Sequence, residues 1–309
     1  MIQLHNQRVA YGETLVALGR ENPDIVVLEA DLGKSTQGIL FQQAYPNRFY
    51  EMGIAEANMA GVAAGLSLTG KIPFIASFAV FSTGRCYDQI RTAICIPALN
   101  VKICGSSAGL SDAGDGSTHQ SVDDVALMRV LPNMQVFSPA DAIETEKIVR
   151  YMAENKGPMY IRINRNDLPD CTNPDEKFIP GKVYPLRQGK DAVVFATGVM
   201  VSKALEAADA LEKEGCSVMV VNVPSLKPID SDAVLNICKD FSTVVTAEEH
   251  SVIGGLGTAI ASILAEKQPK KVRMVGIQDK FGTSGQDYET LLEAYGLTSK
   301  AIMDAIRAC

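Results

Sequence analysis

Residues 24–36 read DIVVLEADLGKST. The run Asp24–Glu29 has the length and β-branched content of a strand, with the breaker Asn22-Pro23 before it and the polar loop Asp31–Thr36 after it. A short apolar strand that ends in a polar loop is the pattern of a parallel sheet, whose ligands gather at the carboxyl ends of its strands. Helical spacing across Arg8–Arg20, ahead of the breaker, supplies the preceding helix. Downstream, Ile72–Ser77, Asn100–Cys104, Met134–Phe137 and Met159–Ile163 read as further strands. Helices are predicted around Glu56, over Cys86–Cys95, and over Pro139–Asn155 opened by Ser138. This alternation predicts a doubly wound α/β domain over residues 1–175.

Residues 168–189, LPDCTNPDEKFIPGKVYPLRQG, hold four prolines and no sustained period. They place a linker at 176–189. Alternation then resumes, with strands expected at Ala192–Thr197, Ser217–Val223, Ser242–Ala247 and Lys271–Gly276. Helices are expected at Ser202–Glu214, Asp230–Lys239, Gly255–Ala265 and Asp287–Ala294, and a last one is capped by Thr298. Residues 190–309 form a second, smaller doubly wound α/β domain on this reading. The fold class is α/β with two such domains.

The stretch 51–66, EMGIAEANMAGVAAGL, carries the oddest residue of the first domain. Small residues at Ala57, Ala60, Gly61, Ala63, Ala64 and Gly65 flatten one face of a helix and place that helix inside. Glu56 stands at its start with little polar company. The helix dipole favours a carboxylate there, whereas desolvation favours the neutral acid and produces a proton donor. A plainer reading is equally open, in which Glu56 caps the helix or pairs with a nearby arginine.

A chain of 309 residues with 47% hydrophobic content can bury two sound cores. The net charge of −7 and the lack of any Lys/Arg-rich block argue against nucleic acid or an anionic membrane as partner. Seven cysteines without C-x-x-C spacing fit reduced, structural thiols. The start has no signal-peptide pattern, no apolar run reaches a membrane span, and a cytoplasmic protein is expected.

Two glycine-rich stretches remain. Ala108–Gln120, AGLSDAGDGSTHQ, follows a strand and gathers Asp112, Asp115 and His119 where backbone amides can cradle an anion. Its Gly114-Asp115-Gly116 mimics the opening of a magnesium–diphosphate motif, but the required downstream Asn is missing from Asp141–Glu146, so no metal site is expected. Ile253–Gly257 follows Glu248-Glu249-His250 and is weak evidence alone. Neither a Walker signature nor a dinucleotide fingerprint is present. His5 and His250 receive no catalytic role, and His250 is read as a hydrogen-bonding residue of the folded domain.

In order along the chain, RVAYGETLVALG (8–19), ADLGKST (30–36), GIAEANM (53–59), SFAVF (77–81), YDQIR (87–91), GDGSTHQ (114–120), NRNDLP (164–169) and EEHSVIGGLG (248–257) resemble the C-terminal half of the transketolase family. The resemblance runs essentially end to end. It implies a pyrimidine-binding domain followed by the family's C-terminal domain, and thiamine diphosphate as cofactor. Glu56 aligns with the glutamate at the aminopyrimidine ring nitrogen, where a protonated acid promotes ionisation of the thiazolium carbon. Phe78 and Phe81 align with aromatics that pack on the pyrimidine, although core packing alone explains them too. Asp31 and Leu32 align beside the thiazolium, with an ordinary strand-end Asp as the alternative. His119 and Asp115 align with residues that contact the ketose, and a His there can shuttle protons near neutral pH. Arg8, Ser35 and Arg165 align with a phosphate grip suited to the arginine fork, against the simpler reading of surface charge.

Full-length members also carry an N-terminal domain with the diphosphate and metal motif, and this chain is read as starting after it. The implied partner is an N-terminal transketolase subunit that holds a divalent metal such as magnesium, in a heterotetramer of two of each. The implied reaction moves a two-carbon ketol unit from a ketose phosphate to an aldose phosphate. A deoxyxylulose-phosphate synthase-like half, a 2-oxo-acid dehydrogenase beta-like subunit and a non-catalytic scaffold are the alternatives. NRNDLP and DGSTHQ favour sugar transfer, and retention of Glu56, His119, Arg8 and Arg165 disfavours a scaffold. Two departures bear on the sugar: Ser107 stands where many members have His, and STGRCYDQ after Phe81 is one residue longer than usual.

Overall fold

The computed structural model describes residues 4–308, so Cys309 lies outside the described residues. In chain order the strands are β1 (Leu4–Asn6), β2 (Ile25–Glu29), β3 (Phe49–Glu51), β4 (Ile72–Phe78), β5 (Lys102–Ser106), β6 (Gln135–Phe137) and β7 (Met159–Arg162). Then follow β8 (Asp167–Pro169), β9 (Tyr184–Arg187), β10 (Ala192–Ala196), β11 (Val218–Asn222), β12 (Ser225–Lys227), β13 (Val244–Ser251) and β14 (Val272–Ile277). A seven-stranded sheet has the order β12-β6-β7-β5-β4-β2-β3 and a five-stranded sheet the order β14-β13-β10-β11-β9. Every neighbouring pair in the two is parallel except the edge pairs β12·β6 and β11·β9. Both sheets are therefore doubly wound α/β, and all residues of β2, β5, β7 and β10 are buried, as expected of strands covered on both faces.

Helices Gln7–Glu21 and Ala142–Glu154 cover one face of the larger sheet through Tyr11, Leu15, Ile148 and Met152. Helix Glu56–Leu68 covers the other through Met59, Ala60 and Ala63 against Val26, Leu28 and Ile75. That helix is only half inside. Its Asn58, Gly61 and Gly65 face solvent, and a Cβ added at either glycine meets no other atom within 4 Å. The small residues thus leave an open face beside the buried one. Helix Ala142–Glu154 is capped by Asp141, which accepts from the Glu144 amide at 2.8 Å, rather than opened by Ser138. Thr298 does cap the last helix, Ser299–Arg307. The expected helix Cys86–Cys95 starts earlier and is uneven: Phe81–Arg85 and Ile90–Cys95 are π-helical, with one α-helical turn, Tyr87–Gln89, between them. A π-turn is the form that an extra residue takes inside a helix.

Within 176–189, β9 pairs antiparallel with β11, while β12 from the second half adds an edge to the first sheet. One apolar cluster joins Met59, Ile75 and Ile90 to Phe195, Val234 and Leu256. A buried polar network reinforces that junction. Arg162 donates to both oxygens of Asp124 and to the Glu249 carbonyl, and Tyr160 donates to Asp124 at 2.7 Å. The Glu249 carboxylate accepts from the Leu110 amide at 2.8 Å and from Asn164 at 3.3 Å. Glu144 accepts from the Ala140 amide and from Asn222. His250 is buried and accepts from the Ala126 amide. Cys86, Cys95, Cys104 and Cys238 are buried, and Cys171 and Cys216 are partly so, all as free thiols. Among the described residues no helix is long and apolar enough to cross a membrane.

Burial pushes the Glu249 carboxyl up to about 7 against the opposing pull of Arg162. It pushes Glu144 up to about 8 despite two donated hydrogen bonds. Below the ordinary carboxylate range both acids are protonated folded or unfolded, and their contribution is complete. At higher pH the unfolded chain loses these protons first, so the contribution is lost as pH rises through the two folded values. Urea-unfolding midpoints should therefore fall from about pH 5 to about pH 8, with a slope of at most about 1.4 kcal/mol per pH unit per group. Glu249→Gln should flatten the fall between about pH 5 and pH 7. Midpoints that stay level over this range would mean that both carboxyls are already ionised in the fold.

Candidate active site

In the larger sheet the chain proceeds from β2 outward to β3 and then returns to β4 on the other side of β2. The winding reverses between β2 and β4, and the crevice beyond the carboxyl ends of those two strands is where a doubly wound sheet holds its ligand. Segments leaving β2, β3 and β4 carry several of the predicted residues.

From β2 comes the turn Asp31–Thr36. Asp31 adopts φ 59°, in the left-handed region, and its amide donates to Glu51 Oε1 at 2.8 Å. The Gly53 amide donates to the same oxygen at 3.0 Å. Glu51 thereby ties the β2 turn to the segment that leads into Glu56. Beneath the turn, buried Glu29 accepts from Thr36 Oγ1 at 2.6 Å, and burial raises its carboxyl well above the ordinary range.

From β3 comes helix Glu56–Leu68, with Glu56 as its first residue. The Glu56 side chain is only 4% exposed, and it accepts at Oε1 from Arg85 Nη1 at 2.9 Å. The polar company absent from its own stretch of sequence is an arginine on another element.

From β4 come Phe78, its last residue, and Phe81. Their rings lie 6.1 Å apart and nearly parallel at 12°. His119 stands edge-on to both, at 5.2 Å from Phe81 and 6.2 Å from Phe78. Arg85 lies 3.9 Å over the Phe81 ring and Arg165 lies 5.7 Å over the Phe78 ring. Arg165 also pairs with Asp112 at 2.6 Å. Arg8 donates to the Ser35 carbonyl at 2.9 Å, and burial together with the nearby charge of Arg165 lowers its guanidinium. The charges of Asp167 and Asp112 offset part of that repulsion.

The structure thus groups Phe78, Phe81 and His119, ties Glu56 to this group through Arg85, and places Arg8 beside Ser35 and within electrostatic reach of Arg165. Asp115 is exposed one turn before His119, and Asp31 and Leu32 sit on the β2 turn without a hydrogen bond or ring contact to the aromatic group. Among the described residues no cluster of three or more His, Cys, Asp or Glu is arranged to hold a metal ion. Sequence reasoning missed Arg85, Glu51 and Glu29. Only Arg85 left a signal, since Phe-x-x-x-Arg puts a cation one helical turn from a ring.

These features define a two-domain α/β protein with a ligand crevice at the reversal of a parallel sheet. The family descriptions "Transketolase, pyrimidine binding domain" and "Transketolase, C-terminal domain" match residues 5–170 and 181–302. The chain belongs to the transketolase family. It is 44% identical to a putative transketolase C-terminal section of Methanocaldococcus jannaschii, over 97% of this chain and 94% of that protein. It is 41% identical to a 6-deoxy-6-sulfo-D-fructose transketolase subunit of a Clostridium species, over 98% and 94%. Against human transketolase the identity is 34%, over 97% of this chain and 48% of that protein. A solved structure titled "Split gene transketolase, inactive beta4 tetramer" superposes with a TM-score of 0.89 at 51% identity, covering 98% of this chain and 97% of that one.

Ser107 combines two costs at the end of β5. Its φ is 51°, in the left-handed region, and its fully buried hydroxyl has no hydrogen-bond partner. Ser107→Gly removes both and should stabilise the chain by about 1 kcal/mol in urea unfolding. A loss of stability would mean that the serine packs usefully.

Proposed function

We propose that this chain is one subunit of a thiamine-diphosphate-dependent transketolase that moves a two-carbon ketol unit from a ketose phosphate to an aldose phosphate. Residues 1–175 serve as its pyrimidine-binding domain and 190–309 as its C-terminal domain, with 176–189 as the connection. The observation that carries the reading is a buried carboxyl, Glu56, placed at a helix start and linked through Arg85 to Phe81, whose ring lies parallel to that of Phe78. Family membership supports the cofactor, because a pyrimidine-binding domain implies dependence on thiamine diphosphate.

The residues fit one end of that cofactor. An aminopyrimidine asks for an acid in its plane and an apolar surface against its face, and Glu56 with the two rings offers both. The diphosphate end asks for a metal, for which the described residues present no ligand cluster. A partner subunit that carries the diphosphate and magnesium site completes the centre on this reading, in a heterotetramer of two of each. Cytoplasmic sugar phosphates are the substrates.

Bound there, the cofactor supplies the thiazolium carbon that takes up the ketol unit. Glu56 holds a proton toward the aminopyrimidine ring nitrogen. Phe78 and Phe81 orient the ring and exclude water, and Asp31 and Leu32 line the thiazolium side. His119 moves a proton at a sugar hydroxyl, with Asp115 contacting the neighbouring hydroxyls. Arg8, Ser35 and Arg165 bind the phosphate.

Arg165→Ala should raise KM for a phosphorylated ketose by about 10- to 100-fold, the scale of one or two charge-assisted bonds, and leave KM for a non-phosphorylated ketol donor within about twofold. The assay uses this chain with its partner, and the partner-free chain serves as the control, without ketol transfer. Equal effects on both donors would remove Arg165 from the phosphate grip, and turnover by the partner-free chain would contradict the two-subunit reading.

A further inference from the structure

The Glu56–Arg85 pair conflicts with the role just given to Glu56. A carboxylate held by a guanidinium is stabilised in its ionised form, whereas an acid that serves a ring nitrogen must carry a proton. Arg85 also covers the Phe81 ring at 3.9 Å, near the distance of a stacked aromatic. One side chain therefore engages both the carboxyl and the ring that the aminopyrimidine requires. The two ends of the pair differ in freedom: the Glu56 side chain is 4% exposed and that of Arg85 is 48% exposed. Arg85 can leave without opening the core, and Glu56 cannot. Arg85 also closes the π-helical turn Phe81–Arg85, so the helix that offers the ring delivers the cation that covers it.

We propose that Arg85 is a latch on the pyrimidine seat. In the chain without cofactor its guanidinium satisfies buried Glu56 and lies on Phe81. When the aminopyrimidine enters, Arg85 swings toward solvent and frees Glu56 to hold a proton. This inference rests on the cofactor reading above. The latch keeps a buried carboxyl paired in the empty seat, which would otherwise leave an uncompensated charge. Its cost is a lower apparent affinity, because only the unlatched fraction of molecules can bind. A half-exposed arginine makes a weak pair, so the closed form should outnumber the open one by about 3- to 10-fold, and affinity should fall by about 4- to 11-fold.

The test titrates thiamine diphosphate with magnesium into the complex of this chain with its partner. It also titrates 4-amino-2-methylpyrimidine, a probe of the seat alone, into the partner-free full chain. Arg85→Gln should tighten both by about 4- to 11-fold and speed association, with assembly unchanged and the thermal midpoint of the cofactor-free chain slightly lowered. Arg85→Lys keeps the charge but cannot lie flat on the ring, and should move both in the same direction by less. It also decides the matter if Arg85→Gln misfolds. Unchanged or weaker binding in a folded variant would overturn the latch and make Arg85 a support for Glu56 instead. If neither wild type nor variant binds either probe, the cofactor reading falls with it. If wild type binds and the variants gain nothing, only the latch falls.

Discussion

The reversal of a doubly wound sheet between β2 and β4 is the constraint from which the candidate site follows. At that point the loops leaving two adjacent strands diverge, and the space between them cannot be closed by either connection. At the end of β4 this chain gathers two rings and a histidine, with a buried acid tied to them through Arg85. Glu51 anchors the β2 turn and the entry to the Glu56 helix with one carboxylate oxygen, so two sides of the crevice are set by a single group. The third side is rigid because Phe78 is the last residue of a seven-residue, mostly buried strand.

The second half of the chain bears on the site through buried chemistry. Asn164 immediately precedes Arg165, and it bonds to Glu249 and Tyr288 of the second half. Gln120 follows His119 and donates to the Thr283 carbonyl. Two residues of the proposed sugar site therefore have chain neighbours locked across the domain junction. Removal of the second half would leave Asn164, Arg162 and the Leu110 amide with unpaired polar groups, a cost far above that of a lost surface contact.

Much of the fold was legible because its strands are long, apolar and separated by helices of clear period. Of the three-residue strands β6 was read, but β1, β3, β8 and β12 were not, since so few residues carry no period, and β12 lies between Pro224 and Pro228. β13 was expected to stop at Ala247 and runs to Ser251. Its extension, Glu248-Glu249-His250, looks like a loop in sequence but is buried in strand form because the junction supplies its partners. The candidate site was legible where residue type alone carries chemistry, as at His119 and Glu56. The pairing of Arg85 with Glu56 was missed because the two lie 29 residues apart, and the local Phe81-x-x-x-Arg85 pattern encodes only the ring contact.

The central claim is that Glu56 serves as an acid toward the cofactor rather than as a helix cap or half of a structural ion pair. Hydrogen–deuterium exchange at the thiazolium carbon, followed by NMR in the Glu56→Gln complex beside a thermal melt, tests it most directly. Gln keeps the shape and hydrogen-bonding capacity but holds no transferable proton. The account predicts modest loss of cofactor binding, an intact melt, and exchange slowed by on the order of 10² to 10⁴. Wild-type exchange in a well-folded variant would contradict it.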